Sequence, residues 1–88
     1  ALSALLRAED ARFSLLWEAA STVQRLLLQA LAREPGHPYA QAYRDRHELP
    51  SAASVQTGLR ALEQREIVAG ERGAYRIVEP FLAEWMRR

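Results

Sequence analysis

The stretch LPSAASVQTGLRALEQREIVAGERGAYRIVEP, residues 49–80, decides how this chain is read. Ser51 is a residue type that caps helix N-termini, because its hydroxyl can accept from an orphan amide of the first turn. Behind it, Val55, Gly58, Leu59 and Leu62 recur at helical spacing and form one apolar stripe, while Ala53, Thr57, Arg60 and Gln64 fall on the opposite face. The period then changes. EIVAG and AYRIVE are rich in β-branched and aromatic residues and GERG between them can turn, so a helix followed at once by a small antiparallel hairpin is expected.

Upstream, YAQAYRDRHE reads as a short helix that ends before Pro50, with Tyr39, Ala42 and Tyr43 toward the core. EPGHP separates it from STVQRLLLQALARE, since Pro35 and Pro38 cannot join a helical ladder and Gly36 permits a tight turn. In the latter segment Ser21 and Gln24 have capping-box spacing, and Val23, Leu26, Leu27, Ala30 and Leu31 make one face. Toward the N-terminus, Leu2, Leu5 and Leu6 and then Phe13, Leu16, Trp17 and Ala20 are helically spaced. Glu9 and Asp10 sit where that stripe should continue, and Asp10 can cap a new turn, so a short first helix, a solvated break and a second helix are expected. Downstream, Pro80 suits the first position of a last short helix with Phe81, Leu82 and Trp85 inward. The expected divisions are a helical extension over 1–20, a core over 21–79 and a closing helix over 80–88, in a single domain overall.

A chain of 88 residues has room for one modest core and one function. Apolar residues are 49% and charged residues 26%, the profile of a soluble globular domain. No apolar run approaches the roughly 20 residues a membrane-spanning helix needs, and ALSALLRAED lacks the basic start and cleavage site of a signal peptide. No membrane partner is expected. The absence of cysteine excludes disulfides and thiol catalysis and fits a cytoplasmic location. The chain opens on Ala rather than Met, as a piece of a longer protein would. All its cations are arginines, and the formal charge is only +1, so attraction to a polyanion must come from local clustering.

Three helices followed by a two-stranded hairpin is the order of a winged helix-turn-helix, α-rich with a small hairpin and here carrying extra N- and C-terminal helices. The helices from Ser21, Tyr39 and Ser51 would be its three, and GERG the tip of its wing. In that fold the third helix offers its N-terminal part and outer face to the major groove. Candidate contacts on it are Ser51, Ala53, Ser54, Thr57, Arg60 and Gln64, since hydroxyls serve phosphates and Arg or Gln can pair with purine edges. Arg72 and Arg76 are the wing's candidates, and Arg44 and Arg46 lie on the helix that would cross the phosphate backbone. Glu63, Glu66, Glu71, Asp45 and Glu48 dilute this charge. His37 and His47 lack a partner at metal-ligand spacing, no Ser-His-Asp arrangement can be argued, and Gly36, Gly58, Gly70 and Gly73 are too scattered for a phosphate-cradling loop. No catalytic, cofactor-binding or metal-ligating residue is assigned, and this segment is not expected to be an enzyme.

The resemblance goes further than element order. Leu49-Pro50-Ser51, Ser54-Val55-Gln56, the pair Leu59 and Leu62, the strand Tyr75-Arg76-Ile77-Val78 and the ending Pro80-Phe81 with Trp85 and Arg87-Arg88 resemble the C-terminal winged-helix domain of prokaryotic archaeal-type ATPases of the AAA+ and STAND class. FSLLWEAASTVQRLLLQALARE is similar to the run that precedes the winged helix there, so the resemblance extends from Phe13 to the end. The family's ending usually reads Asp-Pro where this chain has Glu79-Pro80, which keeps the charge. The resemblance implies an ATP-binding domain N-terminal to Ala1, with ATP a cofactor of the parent protein and none in this fragment. Implied partners are duplex DNA and the ATPase domain of the same chain.

Three readings stay open at this point. The first is a DNA-binding or DNA-binding-like regulatory module, with residues 51–65 as the reading helix and 72–76 as the wing. The second is a protein-interaction domain that docks the same face on the ATPase core or another partner, favoured by the interleaved carboxylates. The third is a free-standing regulator that forms a homodimer through Phe13, Leu16 and Trp17. Trp17 and Trp85, with Phe13, Tyr43 and Phe81, read as core rather than contact residues, and since the terminal helices lie outside the winged-helix core, their large apolar residues must be buried against something, for which the ATPase domain or a second copy are candidates. Arg87 and Arg88 suit the negative end of the last helix.

Overall fold

A computed structural model describes the backbone of residues 2–87 and the side chains of residues 10–87. Its order is α1 (Leu2–Ala19), α2 (Thr22–Arg33), α3 (Gln41–Arg46), α4 (Ala52–Gln64), β1 (Val68–Glu71), β2 (Ala74–Ile77) and α5 (Pro80–Met86). The strands pair antiparallel with Val68 opposite Ile77 and Glu71 opposite Ala74. This mainly helical chain with one small hairpin has the expected winged-helix architecture.

The local signals explain most of the helix starts. Ser21 accepts from the Gln24 amide at 3.1 Å while the Gln24 side chain accepts from the Ser21 amide at 3.2 Å, which satisfies two orphan donors reciprocally. Ser51 accepts from the Ser54 amide at 3.3 Å, and Pro80 fills the first turn of α5, where a missing N–H costs nothing. Both α3 and α4 end in the same way, on a left-handed residue that is not glycine. Glu48 has φ 53° and Glu66 φ 60°, and the following amides bond back, Leu49 to the Arg44 carbonyl at 2.9 Å and Ile67 to the Leu62 carbonyl at 3.0 Å.

Helix α2 is the centre of the packing. It touches α4, α5 and β2, so it is enclosed on more than one side, and Leu28 and Ala32 are buried together with Leu27, Ala30 and Leu31. Leu26 and Val23, expected on its inner face, are only partly buried. From α4, Val55, Gly58, Leu59 and Leu62 face inward as their spacing predicts. Gly58 lies so close to α2 that a Cβ there would stand 2.8 Å from Leu27 Cδ1 and 3.1 Å from Val23 Cγ1.

Two expectations require correction. Helix α1 runs unbroken through Glu9 and Asp10; Asp10 is neither a cap nor a solvated break, because its carboxylate accepts from the Trp85 indole at 2.6 Å. Tyr39 and Ala42 are exposed, leaving Tyr43 as the only core residue of α3, which starts at Gln41 after a turn in which the Ala40 amide bonds to His37. The terminal helices cover each other within the chain. Phe13, read as a core residue, is fully buried and packs 6.0 Å from the Trp85 ring, while Leu16 and Trp17 are only partly buried. The readings for Leu2, Leu5, Leu6 and Arg88 lie outside the described residues.

Arginines close this end of the molecule. Arg25 donates to the carbonyls of Trp17 at 2.9 Å and Glu18 at 3.2 Å, occupying the last orphan acceptors of α1. Arg87 serves the C-terminal turn of α2 rather than that of its own helix, donating to the Ala32 carbonyl at 2.8 Å and pairing with Glu84 at 2.6 Å. Arg12 pairs with Glu79 at 2.6 Å and so ties α1 to the residue that precedes α5.

Candidate nucleic-acid interface

Helix α4 packs against strand β1 of the hairpin that follows it. Ser51, Ala53, Thr57, Arg60 and Gln64 are exposed, and Ser54 is partly so. Their donors are not equally available. Ser51 donates to the Ser54 hydroxyl at 3.3 Å and Thr57 donates to the Ala53 carbonyl at 3.2 Å, so both protons are engaged within the helix. Arg60 and Gln64 make no side-chain hydrogen bond among the described residues. They are among the groups on α4 that can offer paired donors to a base edge or a phosphate, as can the exposed Gln56.

The wing turns on Arg72 and Gly73, with φ 54° and 83°. Two consecutive left-handed residues give the primed turn whose twist matches that of a two-residue hairpin. Arg72 is therefore at the tip, exposed, while Arg76 projects from the outer side of β2 between the inward Tyr75 and Ile77. Gly70 faces Tyr75 across the ladder, and a Cβ on it would lie 2.3 Å from the tyrosine ring, so the ring rests on bare backbone.

The hairpin is also held from outside. The Gly36 amide donates to the Tyr75 carbonyl at 3.1 Å and the Tyr75 amide to the Gly36 carbonyl at 2.6 Å, which makes the EPGHP turn a one-residue third strand. Residue reasoning missed this bridge, and its only sequence signal is an extended Pro-Gly stretch. An open groove of about 750 Å³ runs between this turn and the hairpin, and Arg72, Arg76 and His37 are among its lining residues. At Tyr75, burial, a hydrogen bond with Tyr39 and the nearby Glu63 carboxylate all raise the phenol pKa.

The structure therefore puts Arg60 and Gln64 on one exposed helix face and Arg72 and Arg76 on the adjoining hairpin. It adds Arg65, exposed at the end of α4 and without a side-chain hydrogen bond or ion pair among the described residues. It removes Arg46, which is committed to Glu34 at 2.8 Å and lies 5.7 Å over the Tyr43 ring. Arg44 is half-buried on α3, with an Nε that finds no acceptor. Glu63, Glu66 and Glu71 remain exposed on or beside this face.

The His47 ring meets Glu34 at 2.7 Å, and the Tyr43 hydroxyl donates to the Glu34 carbonyl at 2.7 Å. Hydrogen bonds from His47 and Arg46 hold the Glu34 carboxyl below its ordinary pKa. Burial, assisted by the Glu34 charge, pushes the Tyr43 phenol up to about 12. This cluster joins the end of α2 to α3. Among the described residues no group of His, Cys, Asp or Glu is placed to hold a metal ion, and no helix is long and apolar enough to cross a membrane.

A family model described as "Probable winged helix domain" matches residues 11–88, which is nearly the whole chain and includes every element from the second half of α1 to α5. No curated protein and no solved structure gives a match.

Proposed function

The chain belongs to the probable winged helix domain family, and we propose that it is a duplex-DNA-binding module attached to the C-terminal side of a prokaryotic ATPase domain. The observation that carries the DNA reading is the state of the arginines. Arg60, Arg65, Arg72 and Arg76 are exposed on α4 and the hairpin with no side-chain hydrogen bond or ion pair among the described residues, whereas Arg12, Arg25, Arg46 and Arg87 are each bonded within the chain; off these elements, Arg33 at the end of α2 is likewise exposed and unpaired among the described residues. Guanidinium groups left unpaired on one face are what neutralisation of phosphates requires.

In this reading α4 lies in the major groove. Arg60 and Gln64 reach base edges or phosphates, Ser51 and Ser54 accept or donate at the backbone, and Thr57 and Ala53 present small apolar contacts to the groove. Arg72 at the wing tip and Arg76 on β2 straddle the neighbouring phosphates. The ATPase context rests on the resemblance of residues 49–88 to the C-terminal domains of that class, and it puts ATP binding and a cytoplasmic setting in the parent protein rather than in these residues.

A second reading is favoured by one observation, the exposed Glu63, Glu66 and Glu71 interleaved with those arginines. A mixed face of that kind suits docking on the ATPase domain or another protein. Titration of a labelled mixed-sequence duplex by fluorescence anisotropy separates the two. DNA binding predicts a Kd of roughly 10⁻⁴ to 10⁻⁶ M or tighter that weakens steeply with added salt. Absence of binding at low salt sinks the DNA reading and leaves the docking one.

A further inference from the structure

Asp10, Trp17, Gln29, Trp85 and Met86 line an open notch of about 360 Å³ where α1, α2 and α5 meet. None of these residues lies on α4 or the hairpin, so the notch is separate from the proposed DNA face. Its walls hold both tryptophans of the chain, a thioether, an amide and one carboxylate. Asp10 is the only ionisable group among the described lining residues.

The two indoles are prepared for a cation in different ways. Trp85 donates its N–H to Asp10 Oδ1 at 2.6 Å, which fixes the carboxylate at the rim and, by drawing the proton toward an anion, enriches the ring in electron density. Phe13 packs 6.0 Å from that ring on the core side, and part of the indole stays open toward the notch. Trp17 already holds one guanidinium: Arg25, which does not line the notch, sits 5.3 Å from its ring centroid. Trp85 is thus the main acceptor left for an incoming charge. The second oxygen of Asp10 makes no hydrogen bond or ion pair among the described residues.

We infer that this notch is the docking site for an arginine side chain presented by a partner protein. A guanidinium is planar and weakly hydrated, so it stacks on an indole while its N–H fork reaches a carboxylate in the same plane; an ammonium has no plane to stack. Charge complementarity selects against neutral and acidic side chains, which would cover Asp10 without pairing it. The Gln29 amide supplies a further acceptor at the edge.

Because both tryptophans line the notch, their two indole N–H resonances report on it without a label. The test titrates the ¹⁵N-labelled chain with acetyl-Gly-Arg-Gly-amide and with its neutral citrulline counterpart. The arginine peptide is expected to shift the indole signals and to bind roughly tenfold tighter than the citrulline peptide, the combined worth of a cation–π contact and an exposed ion pair. Asp10→Asn keeps an acceptor for the Trp85 indole but removes the charge, and should cut that ratio severalfold. Equal shifts from the two peptides, no shift from the arginine peptide, or equal affinity for a lysine peptide would each overturn the inference. So would movement of these signals by a DNA duplex alone, which would assign the notch to nucleic acid.

Discussion

Arginine is treated in opposite ways in two regions of this molecule. Where α1, α2 and α5 meet, Arg12, Arg25 and Arg87 are all spent inside the chain, on Glu79, on the last carbonyls of α1, and on a carbonyl in the last turn of α2. On α4 and the hairpin, Arg60, Arg65, Arg72 and Arg76 are exposed and their side chains make no hydrogen bond or ion pair among the described residues. In the first group Arg25 and Arg87 complete helix ends that would otherwise rely on water and Arg12 ties α1 to Glu79, while the second keeps its donors for a partner. Composition alone cannot separate the two, because all are arginines in a nearly neutral chain. What separates them is whether a fixed acceptor lies within reach of the side chain.

The largest effect should come from attacking the clasp at its centre. Phe13 is fully buried among core residues and against Trp85, so Phe13→Ala should lose about 3–5 kcal/mol in urea denaturation, the cost of emptying an aromatic core site. A loss below about 1 kcal/mol would mean that α1 is an appendage, and that its arginine contacts are incidental.

Next come the arginines themselves. Arg60→Ala and Arg72→Ala should each weaken DNA binding severalfold and lower the salt slope by about 1, with little change in stability. Arg87→Ala should do the reverse. It removes a bond to the Ala32 carbonyl worth about 1 kcal/mol of stability and leaves DNA affinity unchanged. If all three variants behaved alike, the division between bonded and free arginines would carry no functional meaning.

A third contrast is by pH, at the Glu34 cluster. His47 and Arg46 lower the folded-state pKa of Glu34, so its contribution is present above its ordinary value of 4.5 and is lost as pH falls through the depressed value. Stability should therefore drop on acidification below about 4.5, and Glu34→Gln should flatten that limb while lowering stability at neutral pH. Tyr43 has the opposite sign: its raised value leaves its contribution intact below about 10 and removes it as pH rises through about 12. Ultraviolet difference titration checks this, and a Tyr43 transition near 10 would mean that the packing of α3 on α2 is looser than described.

What was legible in the sequence was set by local chemistry. Ser21 with Gln24, Ser51, Pro80 and the stripe of Val55, Gly58, Leu59 and Leu62 act within a turn or two, so spacing alone revealed them. Asp10 misled because its partner, Trp85, is 75 residues away, and a polar residue satisfied at that distance looks like a helix break. Tyr39 misled because apolar size suggested burial, while the turn from His37 to Ala40 holds it outside α3. The Gly36–Tyr75 bridge was invisible for the same long-range reason. The candidate contacts of α4 and the wing were identifiable by type and face. Which hydroxyl protons are already engaged, and which arginines are free, depend on acceptors that only the folded chain positions.

The smallest effect sharpens the comparison most. Arg72 occupies the first central position of the wing turn at φ 54°, where a side chain with a Cβ is strained and where Asn-Gly is the preferred pair. Arg72→Asn should therefore stabilise the chain by about 0.5 kcal/mol, since Asn tolerates the left-handed region better than most residues. Glu66→Gly should give a similar gain at the end of α4: relief of about 1–2 kcal/mol of left-handed strain is offset by about 0.5–1 kcal/mol of added backbone entropy in the unfolded chain. The two variants part on DNA. Arg72→Asn loses a phosphate contact and should bind more weakly although it folds better, whereas Glu66→Gly removes a carboxylate beside Arg65 and should bind more tightly. A stabilised Arg72→Asn variant that bound DNA as well as the parent chain would leave the arginine at the wing tip with neither a structural nor a contact role, and would shift the case to α4 alone.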